Sequence, residues 1–392
     1  MVSAITRIIL QEIGKTVVIP KNDVFQTSED KKYFGYLLDD CRAEKLTRRL
    51  CDCSGHPLKV TRAEIFLTAA CNMKCRYCNS TQHKMPSWRD KDIFNLLNRL
   101  AERGTVHIQW TGGEATVHPG LLSFISHSFK KGMANSISTN GTAGARFYLD
   151  LAENGISHFS ISLDYPSPAL FNEITGTKGQ FEQVKKTVED LCCNPMDRGH
   201  YRVVVNSVLN RETVSGFMKK NGAALYEFLN WIVDCGADDF KFLPSSKEPF
   251  NEIFPNTSVF EEFKTICRTV VPKRCRLFHY RAGMLAKGGH GLLSRAHHTC
   301  SHFLDDRTYD SRGAYPCIIH LRERGKHLYY FSDTDAGKKE KIDNFFQSDR
   351  VCDPICRCFC FDLYRSLSDR VNLLLDKNAL PYEKTVPADM AS

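Results

Sequence analysis

Between residues 62 and 245, short β-type runs alternate with amphipathic stretches. The runs are AEIFLT (63–68), VHIQWTGGE (106–114), NSISTNGT (135–142), HFSISLDYP (158–166), YRVVVNSVLN (201–210) and DDFKFLP (238–244). Helices are expected near 87–103, 144–153, 180–191 and 223–235. In the first of these, Ile93, Leu96, Leu97 and Leu100 recur at helix spacing. Such alternation leaves few topologies, because parallel strands need crossover connections and crossovers are right-handed. The expected fold class is α/β, an open, partial (β/α)6 TIM-like barrel with its chemistry at the C-terminal strand ends.

The 392 residues leave room for more than the barrel. The expected organisation is an N-terminal extension (1–61), the barrel (62–245), a helical connector (246–299) whose clearest helix is VFEEFKTICRTVV, a small cysteine-rich C-terminal module (300–375) and a polar tail (376–392). A net charge of +8 is spread without a run of five basic residues, which argues against a dedicated nucleic-acid role. The apolar run at the N-terminus is short and soon broken by charges, unlike a secretory signal. No stretch approaches 18 apolar residues, so no membrane span and a cytoplasmic location are expected. There are 17 cysteines, bunched at 71–78 and 300–360. In a long chain without a targeting segment, such bunches favour metal or cluster ligation over disulfides. Cys41, Cys51, Cys53, Cys192, Cys193, Cys235, Cys267 and Cys275 are scattered and read as small packing residues, the C-x-C at Cys51 and Cys53 being a weak candidate for a third site.

LTAACNMKCRYCNS (67–80) places Cys71, Cys75 and Cys78 after the first strand. Three thiolates in one short loop suit zinc or an iron–sulfur cluster. Zinc wants a fourth ligand, for which His83 is the nearest candidate; a four-iron cluster held by three cysteines keeps one iron open, as catalytic metal sites keep an open position. Further polar signals fall at the other strand ends: Gly112, Gly113 and Glu114 after the second, Ser138 and Asn140 after the third, Ser162 and Asp164 at the fourth, Asn206 within the fifth. Turns also use such residues, but these converge on one rim.

C-x3-C-x2-C with Tyr77 before its last cysteine, followed by TGGE (111–114), STNG (138–141), SISLD (160–164) and GQFEQV (179–184), resembles the radical S-adenosylmethionine (radical SAM) superfamily over residues 62–245. The resemblance implies a 4Fe–4S cluster on Cys71, Cys75 and Cys78, with S-adenosyl-L-methionine chelating the open iron. It implies reductive cleavage to a 5′-deoxyadenosyl radical that takes a hydrogen atom from substrate, and a reductant such as flavodoxin or ferredoxin. Gly112 and Gly113 would let backbone approach the cosubstrate, and Glu114 would accept from its ammonium. Ser138, Asn140, Ser162 and Asp164 would touch ribose or carboxylate, Tyr77 would lie near the adenine, and Asn206 would join them. One departure is Thr175, where many members with a cysteine-rich extension carry an arginine; Lys178 or Lys241 is expected to hold the carboxylate instead.

CSHFLDDRTYDSRGAYPC runs from Cys300 to Cys317 and resembles the hairpin of SPASM and twitch extensions, which ligates an auxiliary 4Fe–4S cluster. CDPICRCFC adds Cys352, Cys356, Cys358 and Cys360. These six sulfurs suffice for one fully ligated cluster and fall short of the eight that two would need. A four-cysteine zinc site is the alternative. His297, His298, His302 and His320 lie close in sequence and read as surface or supporting residues.

Fold does not fix substrate. The molybdenum-cofactor enzyme of the superfamily shares the ITG of 174–176 and the Ser-Leu-Asp strand, but it is expected to carry a C-x2-C pair joined to a basic NR segment for its nucleotide and a C-terminal Gly-Gly tail, a combination not read in this sequence, so that assignment is set aside. Two substrates are expected: a ribosomally made peptide that is modified or crosslinked, or a small molecule such as an aminocyclitol, sugar or nucleoside. The extension type favours the peptide; the 61-residue N-terminal segment, short for a winged-helix leader-binding domain, favours the small molecule. A binding-only redox sensor is the remaining reading.

Overall fold

The computed structural model describes residues 58–193, 201–245, 250–275, 306–324 and 326–348, together with Glu248 and Phe278. In chain order the elements are β1 (Arg62–Phe66), α1 (Asp90–Glu102), β2 (His107–Thr111), α2 (Leu121–Lys130), β3 (Ala134–Thr139), α3 (Ala145–Glu153), β4 (Ile156–Ser162), α4 (Pro168–Thr175), α5 (Gln180–Cys193), β5 (Arg202–Leu209), α6 (Arg211–Phe217), α7 (Lys219–Asp234) and β6 (Asp239–Pro244). There follow α8 (Phe250–Ile253), α9 (Thr257–Val270), β7 (Asp306–Tyr309), β8 (Gly313–Tyr315), α10 (Ile318–Arg324), β9 (Tyr329–Tyr330) and α11 (Asp335–Ser348). All six expected strands are present, and so are the expected helices, α9 included. Helices α2, α8, α10 and α11 come in addition, and so do the short α4 and α6. Each of the last two begins on a side-chain cap, Ser167 or Asn210, that accepts from the backbone three residues on.

One sheet holds every strand, in the order β6-β5-β4-β3-β2-β1-β7-β8-β9. The pairs from β6 to β7 are parallel; β7–β8 and β8–β9 are antiparallel. The sheet therefore ends at β6 and β9 and forms an open, partial barrel. β7 lies within the segment read as the C-terminal module, yet it continues the barrel's own sheet along the free edge of β1.

Strand alternation separates two faces. In β2, Ile108 and Trp110 point to the helices, and Trp110 stacks on Phe124 of α2 with ring centroids 6.4 Å apart. His107 and Gln109 point the other way, and both meet Ser136 of β3, at 2.9 and 2.5 Å. Ile93, Leu96, Leu97 and Leu100 of α1 are all buried in the same outer core. Burying one such side chain stabilises by roughly 1.5–3 kcal/mol. The inner face is polar: Arg62 bonds Asp306 at 2.5 Å, and the Lys241 ammonium reaches Ser160 at 3.2 Å. His158 feels Lys241, Arg202 and Arg62; burial first, and these cations second, push its pKa down to about 3. Arg62 and His158 stand on strands that are not neighbours, so their influence on each other runs across the interior.

Candidate cofactor site at the strand ends

The cysteine loop leaves β1 and is braced on two sides. On the β2 side, Leu67 donates to the Thr111 carbonyl at 2.8 Å, Gly113 to Thr68 at 2.7 Å and Glu114 to Ala70 at 2.9 Å. This approach explains both glycines. A Cβ on Gly112 would stand 2.4 Å from the Thr68 oxygen, and one on Gly113 would stand 2.4 Å from that of Ala70. On the other side, Lys74 and Arg76 donate to the carbonyls of Thr175 and Ile174 at the end of α4, at 2.8 and 3.1 Å. Gly176, in the left-handed conformation at φ 65°, ends that helix beside Lys74. Thr175 is buried, and its hydroxyl is bonded to Phe171 O and Thr177.

Cys71, Cys75 and Cys78 are half-buried thiols. Backbone N–H groups of Met73 and Ser80 point at the sulfurs of Cys71 and Cys78, at 3.4 and 3.3 Å, and the Asn140 amide stands 3.9 Å from Cys71 Sγ. Burial, and after it the charges of Asp164 and Cys78, pushes the Cys75 thiol up to about 12; burial raises Cys71 as well. Thiolates here call for a bound cation, and metal coordination deprotonates a thiol outright. Among the described residues, no group of three His, Cys, Asp or Glu side chains is gathered tightly enough for a single ion. An iron–sulfur cluster takes each thiolate on a different iron, so its ligands stand further apart, and N–H···S contacts of this kind tune its potential. The donor set fits the cluster.

Glu114 is almost fully buried. Its Oε1 accepts from Thr116 N (3.1 Å), Thr116 Oγ1 (2.8 Å) and Thr139 Oγ1 (2.8 Å), and its Oε2 from Asn140 N (2.7 Å). Burial raises its pKa, and these bonds oppose the rise. The carboxylate thus cross-braces the end of β3 against the turn Ala115–Val117 that follows β2. Asn140 also donates to Asn72 Oδ1 (2.7 Å), and Asn72 in turn donates to Thr142 Oγ1 (2.7 Å), which ties the cysteine loop to the β3 end. Thr139, Tyr148 and Asn72 were not singled out from the sequence. Thr139 sits between Ser138 and Asn140 and carries the bond to Glu114; Tyr148 meets its hydroxyl at 2.7 Å.

The remaining expected residues differ in how free they are. Ser138 accepts from Gln109 Nε2 at 3.1 Å and is half-buried, as is Ser162. Asp164 is buried and engaged: Tyr77 donates its hydroxyl to Oδ2, and Val208 N donates to Oδ1 at 2.8 Å. Burial pushes Asp164 up to about 6 against both bonds. Tyr77 is therefore fixed to β4. Asn206 is 5 % exposed, next to Ser162 in register, and its Oδ1 has no hydrogen-bond partner in the protein. A buried acceptor left open costs roughly 1–3 kcal/mol, so a ligand donor fits there. Of the two lysines, Lys178 is exposed, whereas Lys241 lies on the inner face opposite Asn206 in register.

In the second cysteine group, Cys317 is buried just after β8, and its sulfur accepts from His320 N at 3.4 Å. His320 is buried and packs edge-on to Phe345 at 5.8 Å. Cys300, Cys352, Cys356, Cys358 and Cys360 lie outside the described residues, as do His297, His298 and His302. The nine described cysteines are all thiols, with no disulfide among them.

The family model of the Radical SAM superfamily matches residues 65–219, the stretch that holds the cysteine loop and strands β2 to β5. GTP 3′,8-cyclase of Haemophilus influenzae (strain PittEE) is 30% identical over 176 residues, 43% of this chain and 48% of that protein. The Pasteurella multocida GTP 3′,8-cyclase is 29% identical over 177 residues. The chain spans about half the length of these curated relatives. Among solved structures, Streptococcus suis SuiB bound to precursor peptide SuiA aligns with a TM-score of 0.55 at 14% identity, over 82% of this chain and 77% of that one. Native anSMEcpe with bound AdoMet and Cp18Cys peptide aligns at 0.50 and 18% identity, over 82% and 97%. The shared feature is the fold. No described helix is long and apolar enough to cross a membrane.

Proposed function

We propose that this chain, whose residues 65–219 match the Radical SAM family model, works as a radical SAM enzyme on a peptide substrate, with Cys71, Cys75 and Cys78 as ligands of a 4Fe–4S cluster. The observation that carries the reading is the three-thiol loop clamped between Gly113-Glu114 and Ile174-Thr175. When bound, the cluster supplies the electron that cleaves S-adenosylmethionine to a 5′-deoxyadenosyl radical. The chain's own residues position and enclose. Gly112 and Gly113 hold backbone against the loop where any side chain would collide. Glu114 keeps the β3 end in place and has lone-pair capacity left on Oε2 for the cosubstrate ammonium. Asn206 Oδ1 accepts from the cosubstrate on the inner wall, with Ser162 beside it in register and Ser138 two strands away on β3. Lys241, on the inner face where Lys178 is not, takes the carboxylate role left by Thr175. Tyr77, held by Asp164, forms part of the wall near the adenine.

The C-terminal hairpin, with Cys317 buried at its end, is the base for an auxiliary 4Fe–4S cluster completed by Cys300 and the group Cys352, Cys356, Cys358 and Cys360. A reductant such as flavodoxin or ferredoxin supplies electrons, and the compartment is the cytoplasm. The peptide reading is supported by the reach of the fold likeness. It extends over 82% of this chain with two proteins solved with peptides bound, whereas the cyclase likeness covers 43% of the chain. A small-molecule substrate is the second reading, and the cyclase likeness favours it. Isotope transfer separates them. Deuterium appearing in 5′-deoxyadenosine from a deuterated peptide encoded beside the gene supports the first; transfer from deuterated GTP, with none from peptide, overturns it.

A further inference from the structure

Asp310, the residue after β7, has a completely buried carboxylate that accepts six hydrogen bonds. Oδ1 takes Arg312 N (2.8 Å), Gly313 N (3.1 Å) and His327 Nε2 (3.0 Å); Oδ2 takes Tyr315 Oη (2.9 Å), Arg312 Nη2 (3.2 Å) and His83 Nε2 (3.1 Å). Five of the six come from the C-terminal hairpin and its continuation. The sixth comes from His83, which ends the turn Ser80–Gln82. That turn begins at Ser80, whose N–H points at Cys78 Sγ. Around the bond, His83 lies edge-on between Phe66 at the end of β1 and Tyr315 of β8, at 5.2 and 5.8 Å. The hairpin tip grips the following residues too: Ser311 Oγ donates to Pro86 O at 2.7 Å and Arg312 Nη2 to Lys84 O at 3.0 Å.

We propose that Asp310 and His83 are positioning residues that tie the C-terminal hairpin to the exit of the cysteine loop and so set the surroundings of the Cys78 sulfur. The inference rests on the reading of Cys71, Cys75 and Cys78 as cluster ligands. The chain of contacts is short: Asp310 fixes the His83 ring, His83 fixes the end of the Ser80–Gln82 turn, and the turn aims one N–H at Cys78. Hydrogen bonds to ligand sulfurs shift cluster potentials. The hairpin therefore tunes the first cluster without contributing a ligand to it. His327 supplies the internal control, because it is buried on the opposite oxygen of the same carboxylate and belongs to the hairpin side alone.

The test uses the full chain, reconstituted anaerobically with iron and sulfide, in wild-type, H83A, H83Q, D310N, H83A/D310N double and H327A forms, beside variants with Cys71, Cys75 and Cys78 changed to Ala. The readouts are the midpoint potential and electron paramagnetic resonance spectrum of the reduced first cluster, with and without S-adenosylmethionine, beside the melting temperature. H83A and D310N are expected to shift the potential and broaden the spectrum, and the double variant to shift it no further than either alone. H83Q, which keeps an N–H near the Nε2 position, is expected to restore the wild-type signal. H327A is expected to lower the melting temperature and leave the first cluster's signal unchanged. If all the variants lower the melting temperature and none moves the potential or spectrum, Asp310 is only a folding hub and the proposal fails. If instead the cysteine variants keep their iron and cosubstrate cleavage, the underlying cluster assignment has failed.

Discussion

The backbone N–H of Lys74, between two cysteines of the loop, donates to the carbonyl of Thr175 at 2.8 Å. Thr175 occupies the position where related chains with cysteine-rich extensions are expected to carry an arginine, and here its side chain turns into the core, 1% exposed. Thr175→Arg therefore does not restore a carboxylate clamp. It places a charge at a buried position whose hydroxyl is bonded to Phe171 O and Thr177, at a cost of about 3 kcal/mol or more. Thermal unfolding checks this, and iron content after reconstitution is expected to fall as the brace on the loop loosens.

Gly113→Ala is expected to be as damaging to the site as losing a polar residue. Its new methyl would meet the carbonyl oxygens of Ala70 and Ala69 at 2.4 and 2.6 Å, backbone atoms that cannot swing aside. Overpacking of this kind costs roughly 1–3 kcal/mol. The strain falls on the cysteine loop, so cluster loading is expected to drop more steeply than melting temperature. Iron and sulfide analysis beside a thermal melt separates the two effects.

Glu114→Gln tests how far the carboxylate is structural. All four donors to Glu114 are protein groups, and an amide presents N–H groups to at least one of them. A buried donor facing a donor costs about 1–3 kcal/mol. The variant is expected to melt lower even without cofactor, which an apo-protein melt measures.

Tyr77 and Asp164 predict a pH dependence. Burial raises Asp164 to about 6 in the fold, above its ordinary range, so the folded chain holds that proton more tightly than the unfolded one. Stability contributed by the protonated form is present at low pH and is lost as pH rises through about 6. The Tyr77 hydroxyl opposes this shift. Tyr77→Phe is therefore expected to push Asp164 higher still and to extend the loss of stability to higher pH. Melting temperature followed from pH 4 to pH 8, in the apo protein, checks the direction.

Much of the scaffold was legible because it rests on local signals. Periodic apolar positions such as Ile93, Leu96, Leu97 and Leu100 foretold α1 and its buried face, and the strand-end motifs marked one rim. Among the helices that were not expected, α4 and α6 are a turn or two long, and short apolar stretches have no measurable period. The strand-end motifs could be read in the sequence, but the protein partners of their side chains could not. Glu114 and Asp164 were expected to face ligand, and each also takes protein donors from other strands, including Thr139 and Val208. Asp310 and His83 were unreadable as a pair, since 227 residues separate them and only the pairing of β7 with β1 brings them together.

The central claim is that the Cys71, Cys75 and Cys78 loop holds the cluster that cleaves S-adenosylmethionine. Its most direct test is the yield of 5′-deoxyadenosine from anaerobic, reconstituted and reduced protein. The wild-type chain is expected to form 5′-deoxyadenosine and methionine, and the triple change of these cysteines to Ala to abolish both with the loss of about four irons per chain. Cleavage that persists in the triple variant, or a fully loaded wild-type protein that forms none, would contradict the account.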